Sequence, residues 1–160
     1  MKDKKLFDLL DKLNIKYNMI EHEYVYTVEE ANKVNIDIDG IGCKNLFLTD
    51  HKGKYFLVFL PDQKRANLNE LRKIVKTKRL SFASEEELDK ILGLKKGSCT
   101  PLGIINDKDN IVTLLIDEDL KDKKIQCHPN RNNATISLEY IDLIKFLEYN
   151  MHRYILFRAD

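Results

Sequence analysis

The chain has 160 residues, 43% hydrophobic and 33% charged, with a formal net charge of +1. That length fits one domain, residues 1–160, burying roughly 70% of the surface its unfolded chain exposes. The composition excludes a disordered chain, and the lack of any apolar run near ~20 residues excludes a spanning helix.

Taken in order, Leu6, Phe7, Leu10 and Leu13 recur at helical spacing and predict an amphipathic helix from Lys4 to Leu13. Tyr17 to Glu21 reads as a short strand. Thr27 and Glu30 have capping-box spacing and predict a helix start, followed by an Asp/Gly-rich loop from Asn35 to Gly42. Asn45–Thr49 and Tyr55–Leu60 are apolar runs joined by Asp50-His51-Lys52-Gly53, which predicts a hairpin inside the sheet. Helices are expected over Asn67–Val75 and Ser84–Leu92, the latter opened by a Ser84/Glu87 capping box and stopped by Gly93. Gly97–Gly103 reads as a loop. Strands follow at Ile111–Ile116, Lys124–His128 and Ala134–Leu138, then a helix over Glu139–Tyr149 and a strand over Arg153–Phe157. The interleaving predicts an α+β fold with a mixed, curved sheet.

Charges run from Lys2 into the first helix, unlike a signal peptide. Three widely spaced cysteines (Cys43, Cys99, Cys127) argue for a reducing compartment, so a cytoplasmic location is expected. One local charge cluster stands out. Arg72, Lys73, Lys76, Lys78 and Arg79 place five cations in eight residues, a stretch fit either to hold phosphates or to end a helix in solvent.

No GxSxG, P-loop, GxGxxG or HExxH is present. Three other features could carry chemistry. Strand alternation sets Lys44 on the face of Leu46 and Leu48, where its ammonium either enters a pocket or snorkels to water. Gly97-Ser98-Cys99-Thr100-Pro101 is a turn-rich loop whose main-chain N–H groups could polarise a carbonyl, or a plain connection. His128 ends a strand before an amide-rich loop, and could meet a ligand or be a satisfied structural histidine. Convergence of Cys43, Cys99, Cys127 and His128 would make a zinc set. Strand alternation opposes it, turning Cys43 and Cys127 away from Lys44 and His128, so no metal and no cofactor are expected.

In this order the three features resemble the YbaK/ProX family of editing deacylases, which includes the editing domain of bacterial prolyl-tRNA synthetases. Besides Lys44–Leu48, the resemblance is carried by Gly53–Pro61, Lys64, Leu80–Ser84, Leu92–Leu94, Gly97–Pro101, Gly103–Asp107, His128–Asn130 and Asn133–Thr135. Its wording is closer to the alanyl-tRNA(Pro) deacylases than to the cysteinyl-tRNA(Pro) branch, and Cys99 stands where an aliphatic residue is expected. The resemblance implies a barrel-like curved sheet and hydrolysis of an aminoacyl ester on tRNA(Pro), with a prolyl-tRNA synthetase as an allowed partner. It implies a catalytic set of Lys44 and the Gly97, Ser98, Cys99, Thr100, Pro101 loop, with Asn45, His128, Asn133 and Thr135 contacting substrate. Two other classes stay open: a module that binds aminoacyl-tRNA or an amino acid without turnover, and a metal-dependent hydrolase.

Overall fold

A computed structural model of the chain describes residues 3–23 and 38–160. The helix expected from Thr27 and residues 35–37 of the Asn35–Gly42 loop lie outside the described residues.

Helix α1 (Lys4–Lys12) buries Leu6 and Leu10, and strand β1 (Tyr17–Glu21) follows. Strands β2 (Cys43–Thr49) and β3 (Tyr55–Pro61) form the expected hairpin. Strand β3 is buried on both faces: Leu57 and Phe59 enter the main core, while Phe56, Val58 and Leu60 enter a smaller one. This two-sided burial explains its unbroken apolar run.

Helix α2 (Leu68–Ile74) starts at Asn67, whose side-chain oxygen accepts from the N–H groups of Asn69 and Glu70. Its single fully buried residue, Leu71, seals the smaller core. Strand β4 (Ser81–Phe82) precedes helix α3 (Glu85–Leu92), where Ser84 and Glu87 complete the capping box and Gly93, at φ 66°, supplies the left-handed stop. Strands β5 (Val112–Asp117), β6 (Lys124–Cys127) and β7 (Ala134–Glu139) follow, then helix α4 (Tyr140–Tyr149) and strand β8 (Tyr154–Phe157).

The strands form two sheets, β1-β7-β6 and β4-β2-β3-β5-β8, joined by one parallel bridge between Ile41 and Ile125. The second sheet is mixed, since β3 pairs antiparallel with β2 and parallel with β5. The barrel-like sheet expected from the resemblance is corrected here. The two sheets pack over a shared core but are not closed into a barrel, a single bridge linking them among the described residues.

Three local readings also change. Pro101 opens a 3₁₀ helix to Asn106 in place of a loop, consistent with proline's fixed φ at a helix start. The two-residue strand β4 follows the basic run without a periodic signal. On α4, Ile141 is 66% exposed, and Tyr140 and Phe146 take core positions with Leu143, Ile144 and Leu147.

Candidate functional site

The site is built on one edge of β2. Ile41 donates to the Lys124 carbonyl at 2.9 Å and accepts from Gln126 at 3.0 Å, so the chain entering β2 pairs with β6. Further on, Phe47 accepts from Ala83 N–H at 2.9 Å, and Leu48 and Thr49 pair with β4. Main-chain groups of alternate strand residues point to one side. Those of Cys43 and Asn45 therefore point to the same edge as those of Ile41 and Phe47, into the gap where β6 has left and β4 has not begun.

Counting on from the bridge brings Cys43 level with Cys127 and Lys44 level with His128. Cys43 and Cys127 face the main core. Burial pushes both thiols up, Cys127 to about 12, with each cysteine close enough to Thr100 or to the other to feel it. Lys44 lies on the opposite face of β2, that of Leu46 and Leu48, and is half-buried. Among the described residues it has no hydrogen bond and no ion pair. Lys64, also within the family resemblance, differs: its ammonium sits 2.6 Å from Asp119 and 3.0 Å from Asp117. Burial opposes its charge, but those carboxylates outweigh it and hold its pKa up.

The Gly97–Pro101 loop packs on the core side of the gap. Gly97, at φ 86°, makes the turn. Ser98 and Thr100 are buried; Ser98 N–H donates to Lys95 and the Thr100 hydroxyl accepts from Leu102 N–H. Cys99 N–H has no acceptor among the described residues. Burial pushes the Cys99 thiol up to about 12, so it stays protonated and weakly nucleophilic near neutral pH.

Gly97, Cys99, Asn45 and Lys96 share a cleft of about 350 Å³ with Phe82 and Leu88. Asn45, Leu46 and Phe47 all border it. Their side chains alternate in direction, so the strand edge itself forms the wall. Lys44 and His128 are not among its lining residues; the structure places them on the other faces of their strands.

His128 Nδ1 lies 2.8 Å from the Ala134 carbonyl and must donate to it, which leaves Nε2 as an acceptor. Burial, followed by the nearby His22, lowers its pKa against the Ala134 bond, so the ring is neutral at pH 7. Sequence reasoning missed His22. Its ring lies 6.3 Å from that of His128, and its Nε2 lies 2.8 Å from the buried Thr135 hydroxyl, within hydrogen-bond distance. Nothing local marks it, because Thr135 is reached only through the β1–β7 pairing. Asn133 is turned to structure, its side-chain oxygen accepting from Arg131 at 2.9 Å. In the basic run, Arg72 is tied to Asn69 and Thr77. Lys73, Lys76, Lys78 and Arg79 are exposed, with no side-chain ion pair among the described residues.

No group of three or more metal-binding side chains gathers among the described residues, nor is any described helix long and apolar enough to cross a membrane.

The family profile described as Aminoacyl-tRNA editing domain matches residues 22–146, and the chain belongs to that family. A domain of this class is an aminoacyl-tRNA deacylase, a hydrolase of the ester joining amino acid to tRNA. Among individual relatives, the chain is 41% identical over 143 residues to Prolyl-tRNA editing protein ProX of Acetoanaerobium sticklandii, covering 88% of this chain and 87% of that protein. It is 35% identical over 160 residues to Prolyl-tRNA synthetase associated domain-containing protein 1 of Danio rerio, covering 98% and 87%. The solved structure of a proposed trans-editing enzyme for prolyl tRNA synthetase has the same fold, with a TM-score of 0.75 at 17% identity over 99% of this chain and 96% of that one.

Proposed function

We propose that this chain acts in trans on mischarged tRNA(Pro), removing alanine. The observation that carries the reading is the gap on the β2 edge, with Lys44 and His128 at the strand ends on one face and the Gly97–Pro101 loop on the other. The 41% identity to a prolyl-tRNA editing protein supports the class of substrate.

In this reading a water oxygen attacks the ester carbonyl carbon. The bond to the ribose oxygen breaks, that oxygen takes up a proton, and the free amino acid leaves. The Lys44 ammonium, without a partner among the described residues, meets the terminal nucleotide or the carbonyl region. The N–H of Cys99, without an acceptor among the described residues, is placed to stabilise developing negative charge. His128, held neutral with Nε2 as acceptor, suits a substrate ammonium group or the amino-acid wall. The neighbouring ribose hydroxyl helps to orient the water. A small pocket admits alanine and rejects the larger proline sterically. The protonated Cys99 thiol supports water over cysteine as nucleophile.

Single-turnover deacylation of tRNA(Pro) charged with alanine, cysteine or proline, in metal-free buffer, tests this. Fast loss of alanine with proline retained is expected. Preferential loss of cysteine would move the chain to the cysteinyl branch, and no loss from any substrate would make it a binding module. Within the same assay His128→Ala should narrow the alanine-to-proline discrimination by about 10-fold, the scale of a reshaped pocket wall. Cys99→Ala should leave the alanine rate essentially unchanged; an inactive Cys99→Ala that still melts normally would establish a thiol hydrolase.

A further inference from the structure

Phe82 is 62% exposed on a strand of two residues at the sheet edge. A single exposed apolar residue is ordinary on a protein surface, but this ring has two distinctive neighbourhoods. It lines the cleft that also takes Asn45 and Lys96, where the main-chain N–H and carbonyl of Asn45 have no strand partner on that edge among the described residues. It also follows closely on the exposed cations Lys76, Lys78 and Arg79, which have no ion pair among the described residues.

An exposed aromatic face, an unpaired donor and acceptor beside it, and a cationic approach are the three elements that hold single-stranded nucleic acid. The aromatic stacks a base, the polar edge meets its rim and the cations track the backbone. The cleft's 350 Å³ lies in the range of about 300–1,000 Å³ typical for small-ligand sites, enough for one nucleoside. Glu85 also lines the cleft, paired with Lys96 at 3.9 Å, and a protein partner is less well matched because the exposed apolar surface is one ring. We infer that Phe82 is the stacking platform for an unpaired base at the 3′ end of the substrate RNA, with Lys76, Lys78 and Arg79 holding the phosphates that lead to it. The inference rests on the reading of the chain as a tRNA deacylase, and adds a base-stacking surface to the contacts assigned to Lys44 and His128.

The test uses the full chain and two uncharged RNA probes. One is an acceptor-stem hairpin with its single-stranded 3′ end intact; the other is the same hairpin trimmed to a blunt end. Fluorescence anisotropy should show Phe82→Ala weakening the intact probe about 10-fold, within the roughly 5- to 150-fold span of base–aromatic stacking. Phe82→Tyr should restore binding, and the blunt probe should bind both proteins alike. Lys78→Ala should weaken both probes if its phosphate lies in the duplex, or the intact probe alone if it lies in the single strand, lowering the salt slope by about 1 in either case. A thermal melt should be little moved by Phe82→Ala, because the residue is 62% exposed. Unchanged binding of the intact probe by Phe82→Ala, or an equal loss on the blunt one, overturns the inference even if deacylation is normal. If wild-type protein hydrolyses no charged tRNA yet shows the Phe82-dependent preference for the intact end, the inference stands and the catalytic reading fails.

Discussion

Lys44→Ala is expected to slow single-turnover deacylation by about 10²–10³, the usual cost of removing a positioned charged donor from a desolvated site, with little change in melting temperature. The expectation comes from what surrounds the side chain. A half-buried ammonium is unfavourable unless its charge is met, and among the described residues nothing meets it. The substrate's terminal phosphate or ester oxygens would. Lys64→Ala is the internal control, since its charge is already met by Asp117 and Asp119. That change should lower the melting temperature and leave the hydrolytic step nearly intact. Lys44→Arg separates charge from shape: a guanidinium keeps the charge but spreads it over a planar fork, so partial rescue marks an electrostatic role. A Lys44→Ala protein that melts normally and keeps near-full activity would remove Lys44 from the site.

The elements that local chemistry determines were legible in the chain. The Asn67 cap, the Ser84/Glu87 capping box and the Gly93 stop each satisfy main-chain groups from within a few residues, so the residues announce the helix end themselves. The Lys44 register was legible for the same reason, because alternation along one strand needs no partner. Features set by pairing across the chain were not. Strand β4 exists because Ser81 and Phe82 meet Thr49 and Leu48, and nothing in a Leu-Ser-Phe-Ala sequence specifies that edge. The gap on β2 arises where two neighbours diverge, which is a property of the sheet and of no single residue. His22 is hidden likewise: its partner Thr135 lies 113 residues away. The cleft thus differs from the expected site. Asn45, Gly97 and Cys99 share it, while Lys44 and His128 lie on other faces of their strands.

Asp107→Ala should cost about 3–5 kcal/mol, the scale of breaking a buried charged pair from one side, and lower the melting temperature by roughly 10 °C. Asp107 closes the 3₁₀ helix that follows the Gly97–Pro101 loop, and its carboxylate satisfies three groups at once. It lies 2.9 Å from Val112 N–H, 3.3 Å from Ile111 N–H and 2.8 Å from His152 Nε2. His152 is 1% exposed and Asp107 2%, so water cannot replace a lost partner at either side chain. His152 Nδ1 faces the Asn150 carbonyl at 2.8 Å, which joins the start of β5 to the turn between α4 and β8. Burial raises the Asp107 pKa, but the bonds from His152, Val112 and Ile111 outweigh it and leave the carboxyl below its ordinary value. A carboxyl depressed on folding contributes stability that is full above its unfolded pKa. Its contribution should therefore be constant near neutrality and fall away below about pH 4, as acid protonates the folded group. Asp107→Asn keeps the volume but replaces one acceptor oxygen by a donor, so it should recover only part of the loss. Denaturant melts of wild type, Asp107→Ala and Asp107→Asn at pH 7 and pH 3 check both halves. The stability gap between wild type and Asp107→Ala should shrink at pH 3, and a gap that widens there would show that the carboxylate is not what holds this corner together.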